Sequence, residues 1–246
     1  MPNSKLLFFY FWYLSSKVMI LKSRFFSISI SQLPKSTKRL SLKNCQVVNI
    51  DPQKSYFYQM ESLLPSLEFL DLTNCRWLSH HSLQAISKCQ NLEKLILYGC
   101  RRIGECFVYT ALATRFGFRK VSHLDLRNTN IGDSEVPCFG RLPNITDLFL
   151  GHTMPMPPSS RDSESNGCIT DRGIISLCLS EMDDAATPGK LQRLSLIRTE
   201  VSDKCLSKLV AAFPSLQHLD LRGTQVTAKG VQYYLEKKPR CQILFE

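Results

Sequence analysis

The sequence predicts an α/β solenoid shaped as a right-handed horseshoe, with short parallel strands on the concave face and helices on the convex face. Two observations lead to this fold class: the pattern L-x-x-L-x-L-x-x-(C/T) recurs along the chain, and stretches with helical periodicity separate its copies. In x-L-x-L-x the leucines point to one side of a strand and the intervening residues to the other. Because one copy cannot bury its leucines alone, the copies are expected to fold as one stacked unit.

The repeated pattern occurs in six full copies and one weaker first copy, TKRLSLKNC, at intervals of 24 to 46 residues. The second leucines of these copies are Leu40, Leu70, Leu95, Leu124, Leu148, Leu194 and Leu219. A closing half-copy, Cys241-Gln242-Ile243-Leu244, follows them. The chain is therefore expected to contain about seven repeats and a terminal half-repeat over residues 31–246.

Helices are predicted between the strands where apolar residues recur at helical spacing, over 81–89, 171–179, 203–212 and 228–236. Thr170, Ser202 and Thr227 stand at the start of three of them and are typical N-cap residues. The longest interval contains MPMPPSSRDSESNG at 154–167, and its proline, serine and charge content predicts a flexible insertion.

The net charge of +10 is concentrated in the first 43 residues, which contain eight basic residues and no acidic one. The rest of the chain has 23 basic and 21 acidic residues, so no nucleic-acid partner is expected. Residues 1–30 are interpreted as a non-repeat leader, either a targeting segment or a misannotated or truncated N-terminus. Its apolar run Leu6 to Leu14 is too short to span a bilayer, and both a signal-peptide core and a mitochondrial presequence remain open.

Motifs of catalysis and of metal or cofactor binding are absent from the sequence: it contains no P-loop, no H-E-x-x-H and no G-x-S-x-G. None of the ten cysteines forms a C-x-x-C pair, which argues against a zinc site. Cys45, Cys75 and Cys100 instead occupy the same position of the repeat and are expected to pack as small apolar residues. We therefore expect a non-enzymatic protein without metal or cofactor, in a reducing compartment such as the cytoplasm or nucleus.

The outward positions of the strands form the candidate site, a surface for a protein partner. Large apolar side chains are predicted to cluster there, with aspartates and arginines as a polar rim that sets specificity. The candidate residues are Phe69, Asp71, Ile96, Tyr98, Asp125, Arg127, Phe149, Arg193, Ile197, Asp220 and Arg222. The alternative is that these side chains simply pack on each other without a binding role.

The repeats resemble the cysteine-containing leucine-rich repeats of F-box/LRR proteins. The resemblance rests on LEFLDLTNCRWLSHHSLQAISKCQNLEKLILYGCRRI and on LQRLSLIRTEVSDKCLSKLVAAFPSLQHLDLRGTQVTAKGVQYYL. LPKSTKRLSLKNCQV and KPRCQIL are similar to the F-box and leucine-rich-repeat protein 12 group. The resemblance implies a leucine-rich-repeat solenoid that holds a protein substrate for a Skp1–cullin–F-box (SCF) ubiquitin ligase. No F-box precedes the repeats here, so Skp1 and cullin are expected as partners only if an F-box lies upstream.

Two alternatives to the ligase role remain open from the sequence. One is a mitochondrial assembly or scaffold factor built from the same repeats, with the first 27 or so residues as presequence. The other is an extracellular receptor ectodomain, which is disfavoured because the cysteines show no arrangement of capping disulfides. No membrane association is expected in the leading interpretation.

Overall fold

The computed structural model describes residues 11–15, 18–21, 25–26, 29–47, 56–104, 106–153, 167–183 and 189–246. Its strands are β1 Phe11–Ser15, β2 Val18–Leu21, β3 Phe25–Phe26, β4 Arg39–Ser41, β5 Gln46–Val47, β6 Phe69–Asp71, β7 Lys94–Ile96, β8 His123–Asp125, β9 Asp147–Gly151, β10 Arg193–Ile197, β11 His218–Asp220 and β12 Gln242–Leu244. Its helices are α1 Met60–Leu63, α2 His80–Ser87, α3 Phe107–Phe116, α4 Val136–Phe139, α5 Asp171–Asp183, α6 Leu206–Ala212 and α7 Ala228–Lys237, with 3-10 turns at Ile30–Gln32 and Asp203–Cys205.

One open sheet runs through the repeats in the order β1-β2-β4-β6-β7-β8-β9-β10-β11-β12, while β3 and β5 pair separately. All neighbours in the large sheet are parallel except β1 and β2. The parallel strands are connected through helices or turns that pack on the same side of the sheet, and the second leucines of all seven predicted copies lie in register. The predicted α/β solenoid is confirmed.

The core lies between the sheet and the helices. The leucines of the pattern are buried there, and the side chains at alternate strand positions point to the opposite side. We call the sheet face turned away from the helices the strand face. Each repeat adds only a thin layer of core, so adjacent repeats depend on each other for burial.

Three of the predicted helices lie close to where the sequence placed them, in α2, α5 and α7. The segment 203–212 is divided into a 3-10 turn, Asp203–Cys205, and α6. The predicted capping is also present, since Thr227 Oγ1 accepts a hydrogen bond from the amide of Gly230 and Ser202 Oγ from that of Lys204. The predicted insertion lies outside the described residues except for Gly167.

A ladder of aspartates links the later repeats through the starts of their helices. In each step one carboxylate accepts two hydrogen bonds from the next repeat, at 2.8 to 2.9 Å from a backbone amide and at 2.6 Å from a hydroxyl. The pairs are Asp133 with Thr170, Asp171 with Ser202, and Asp203 with Thr227. Because a carboxylate is also favoured at a helix N-terminus, the ladder satisfies orphan amides and fixes the spacing of the repeats.

A second ladder is formed by the cysteines at the strand ends. The thiols of Cys75 and Cys100 each donate to a leucine carbonyl of the preceding repeat, Leu42 and Leu72, at 3.0 Å. Burial raises the pKa of Cys45 to about 11 and that of Cys100 to about 12, so these thiols stay protonated at neutral pH. The cysteines are therefore packing groups with weak hydrogen bonds between repeats.

The segment interpreted as a leader contributes to the sheet in its described part. β2 pairs with β4 so that Met19 lies opposite Leu40, and Met19 is buried in the core. The register also places Val18 beside Arg39 and Ile20 beside Ser41 on the strand face. The sheet thus begins before the first repeat strand.

Candidate functional site

The strand face carries the side chains predicted as the candidate site, in columns that cross the sheet. Strand register places Phe69, Lys94 and His123 next to one another in one column and Asp71, Ile96 and Asp125 in the next. Neighbouring strands lie about 4.8 Å apart, so side chains of adjacent repeats touch along each column. The site is therefore assembled across repeats.

Phe149 lies at the centre of the largest cluster on this face. The guanidinium groups of Arg127 and Arg193 stand 5.3 and 5.6 Å from its ring centroid, and the His123 ring lies 5.1 Å away. Arg127 also stands 5.6 Å from the ring centroid of Tyr98. These distances are within the range of cation–π interactions, so the arginines cover the aromatic rings.

Carboxylates hold both arginines in place. Asp125 accepts two hydrogen bonds from Arg127, at 3.0 Å from Nε and 2.6 Å from Nη2, and this pairing raises the pKa of the guanidinium. Asp147 pairs with Arg193 and lies 3.5 Å from His123 Nδ1. A two-bond contact of this kind fixes the plane of the guanidinium and leaves it little freedom.

The ionisation of this cluster follows from burial and its neighbours. Burial alone would raise the pKa of Asp147, but the hydrogen bond and charge of Arg193 outweigh it, and the net pKa is lowered. The pKa of His123 is lowered by burial and by the charge of Lys94. At neutral pH the cluster thus contains an ionised Asp147 and a neutral His123.

Tyr98 is held by its hydroxyl as well as by its ring. The Tyr98 hydroxyl and the Thr153 hydroxyl are hydrogen-bonded at 2.6 Å, and Asn128 bonds both the hydroxyl and the amide of Thr153, at 2.8 and 2.9 Å. Tyr98 and Thr153 belong to repeats two strands apart. Tyr98 is therefore an ordered aromatic group with part of its surface open to solvent.

The remaining predicted site residues lie outside this cluster. Phe69 is flanked by Arg39 and Lys94, at 4.3 and 5.9 Å from its ring centroid. At the other end, Asp220 pairs with Arg222 through two bonds of 2.9 and 2.8 Å. The side chains of Ile96, Ile197 and Asp71 are half-buried on the same face.

The arrangement differs from the predicted apolar patch with a charged rim. Charged groups lie over the aromatic rings, so apolar and charged surfaces alternate along the whole face.

Sequence reasoning also missed Thr153 and Asn128 as site residues. The repeat pattern puts Thr153 at its final (C/T) position, where Thr129 and Thr199 are buried and hydrogen-bonded to a carbonyl of their own repeat. In those two repeats the residue directly before the threonine has a positive φ, whereas here the positive φ is at Gly151, two residues before Thr153, which lies beside Tyr98.

The described part of the chain contains no group of three or more histidine, cysteine or acidic residues placed to hold a metal ion. All ten cysteines are free thiols. Among the described helices, none has the length and apolar content needed to cross a bilayer.

Comparison with known proteins gives one sequence match and several structural ones. A family model described as "Leucine Rich repeat" matches residues 214–233. No curated protein matches the chain in sequence. Similar solved structures include the plant peptide hormone receptor RGFR1 in complex with RGF2, at 16% identity and a TM-score of 0.46 over 89% of this chain and 30% of that one.

Two further structures are similar at comparable sequence identity. The complex of TLR13 with ssRNA13 has 16% identity and a TM-score of 0.47, over 92% of this chain and 38% of that one. A leucine-rich-repeat protein of Leptospira interrogans has 17% identity and a TM-score of 0.31, over 87% of this chain and 62% of that one. The chain thus spans about a third of the length of the first two.

The repeat strands and the matched repeat lead to the same conclusion about the fold. The matched residues 214–233 contain β11 and the start of α7, one complete strand-to-helix step of the solenoid. The in-register strands of the other repeats repeat that step along the sheet. The chain therefore has the leucine-rich-repeat fold.

Proposed function

We propose that the chain is a protein-binding module whose strand face holds a protein partner. The observation that carries the proposal is the ordered cluster of Tyr98, Arg127 and Phe149, in which hydrogen bonds and ion pairs fix half-buried aromatic groups. Tyrosine and arginine are enriched among residues that dominate binding energy at protein interfaces. Groups that are already ordered lose little conformational entropy on binding, which favours affinity.

We further propose that the partner is a substrate of an SCF-type E3 ubiquitin ligase, so that the chain acts in ubiquitin-dependent protein degradation in the cytoplasm or nucleus. This step is supported by the resemblance of the repeats to those of F-box/LRR proteins. The chain would capture and position the substrate, and other subunits would transfer ubiquitin. Binding to Skp1 and cullin would require an F-box upstream of these repeats.

The mitochondrial scaffold is the second candidate, and the acid-free composition of the first 43 residues favours it. The sheet argues against it, because β2 pairs with the first repeat strand, β4, and β1 pairs with β2. Removal of these residues as a presequence would leave β4 as an unprotected sheet edge. We therefore place the ligase role first.

Replacing Tyr98 and Phe149 together by serine is expected to abolish capture of the partner from a cell lysate by the immobilised chain. The far-UV circular dichroism spectrum is expected to remain unchanged, because both side chains lie on the strand face outside the leucine core. The matched control replaces Tyr233 and Phe116 by serine, an exposed tyrosine and phenylalanine of α7 and α3.

Capture retained by the strand-face variant, or lost equally in the control, would contradict the proposed site. Recovery of Skp1 with the captured protein would support the ligase role. Recovery through Tyr98 and Phe149 of a partner whose level in cells does not rise when cullin-type ubiquitin ligases are inhibited would leave the binding role in place and remove the ligase role.

A further inference from the structure

The charges of the strand face are unequally paired along the solenoid. From β8 to β11 each arginine on this face is bonded to an aspartate, as in Arg127 with Asp125 and Arg222 with Asp220. At the other end, β4, β6 and β7 carry Arg39 and Lys94, and neither has an acidic partner among the described residues. This end of the face therefore has positive charge that the described residues do not neutralise.

The two cations at this end are held on one aromatic ring. Arg39 lies 4.3 Å and Lys94 5.9 Å from the ring centroid of Phe69, which is located between them on β6. The two cations thus flank one ring and lie two strand spacings apart, roughly 10 Å. The ring contact leaves both charges unneutralised, so an anionic group beside each cation is favoured.

Asp71, the acidic residue within strands β4, β6 and β7, does not serve as that anion. Asp71 Oδ1 accepts hydrogen bonds from the amide and the hydroxyl of Thr73, at 2.9 and 2.6 Å, in the turn that follows β6. It forms no ion pair with Arg39 or Lys94 within the 4.0 Å limit of such a contact.

Apolar groups surround the two cations. Val18 and Ile20 of β2 lie on one side, next to Arg39 and Ser41 in the sheet register, and both are half-buried. Ile96 lies on the other side, in the strand of Lys94. A ligand that fills this end of the face must therefore combine negative charge with apolar side chains.

We propose that the β4–β6–β7 end of the strand face binds an acidic segment of the partner protein, with its anionic groups at Arg39 and Lys94 and its apolar side chains against Phe69 and Ile96. The proposal rests on the proposed function of this face in protein binding, and it names the chemistry of the partner. Carboxylates and phosphorylated side chains offer the same anionic contact.

A nucleic acid fits this surface less well than an acidic polypeptide. From β8 to β11 the arginines of the face are already paired with aspartates, so they offer no continuous row of free cations to a phosphate backbone. Sites for single-stranded nucleic acids stack successive bases on several aromatic rings, whereas on β4, β6 and β7 Phe69 alone is aromatic.

The test uses the full chain and fluorescently labelled peptides of about ten residues, one built of Glu and Asp around a central Leu and one with Gln and Asn in place of the acids. At about 0.15 M salt, the double substitution Arg39→Gln and Lys94→Gln is expected to raise the Kd for the acidic peptide at least about tenfold. The control, Lys204→Gln and Lys208→Gln, removes the same charge from exposed positions on the helix side. It is expected to change the Kd less than about twofold, because screening limits charge effects to roughly 8 Å.

Equal affinity for the two peptides, equal losses in the two variants, or tighter binding of a labelled oligouridylate than of the acidic peptide would overturn the inference. These results are separable from failure of the proposed function. Suppose that the Tyr98→Ser, Phe149→Ser variant loses partner capture while the Arg39→Gln, Lys94→Gln variant still binds the acidic peptide. In that case only the inference about an acidic segment is refuted. If the Tyr98 and Phe149 substitutions have no effect on capture, the proposed function itself fails.

Discussion

Replacing Leu124 by alanine is expected to lower the free energy of unfolding by about 3 kcal/mol. Leu124 is 1% exposed and lies in register between Leu95 and Leu148 in the middle of the sheet. The substitution removes three buried carbons and leaves a cavity that the neighbouring leucines cannot fill without moving the strands. The change is measured by urea denaturation followed by circular dichroism.

The same substitution at Leu179 is the matched control, since this leucine lies on α5 with 49% of its surface exposed. The free energy of unfolding of this control variant is expected to fall by less than about 1 kcal/mol. Equal losses at the two positions would refute the view that the leucine column holds the repeats together. Because Tyr98 and Phe149 are on opposite sides of β8, the Leu124 variant is also expected to weaken partner capture.

Replacing Gly151 by alanine is expected to cost about 2 to 4 kcal/mol of stability, from two sources. Its φ of +89° is unfavourable for any residue with a Cβ, and that Cβ would overlap the carbonyl oxygen of Ile197 on the paired strand. Backbone atoms cannot move aside as a side chain can, so β9 and β10 would have to separate. Since Phe149 and Ile197 belong to these strands, the site should be distorted with the fold.

The same substitution at Gly223 separates the cost of the positive φ from the cost of the steric overlap. Gly223 also has a positive φ, +68°, but its Cβ would meet Arg198 Cγ at 2.9 Å, in an exposed side chain that can move. Gly223→Ala is therefore expected to cost about 1 kcal/mol, the conformational part alone. A cost at Gly151 no larger than at Gly223, in thermal or urea unfolding, would show that the close approach of the two strands is not required.

The sequence was sufficient to predict the repeat strands, because burial of leucines at alternate positions leaves only one face of each strand for the core. It did not predict β1, β2, β3 or β5, which lie outside the leucine pattern. Leu194 and Leu219 illustrate this: each was placed by the pattern alone, and the two lie opposite each other in the sheet. The helices with one apolar side, such as α7, were predicted for the same reason.

The helix α3 was not predicted. Phe107, Val108 and Phe116 are apolar but 48 to 64% exposed, so the hydrophobic residues of this segment do not mark a single face. Prediction of a helix from hydrophobic periodicity assumes that the apolar residues are buried, and α3 does not meet that assumption. The short helices α1 and α4 offer only four residues each, too few for any period to be visible.

The candidate site was predicted as a set of positions and not as a set of contacts. Strand alternation indicates that Tyr98 and Phe149 face outward, but it does not say which long side chain will cover them. The position of Arg127 over both rings depends on its two bonds to Asp125 and on the ordered Thr153 beside Tyr98. These contacts join residues that are up to 55 positions apart in the sequence.

Site-specific photo-crosslinking tests the central claim, that the strand face is the surface that binds a protein partner. A photoreactive aromatic residue is placed either at Tyr98 on the strand face or at Tyr233 on α7, so that both substitutions replace a tyrosine. The account predicts a covalent adduct with the captured partner from position 98 and none from position 233. An adduct from position 233 as strong as that from position 98, or from position 233 alone, would contradict it.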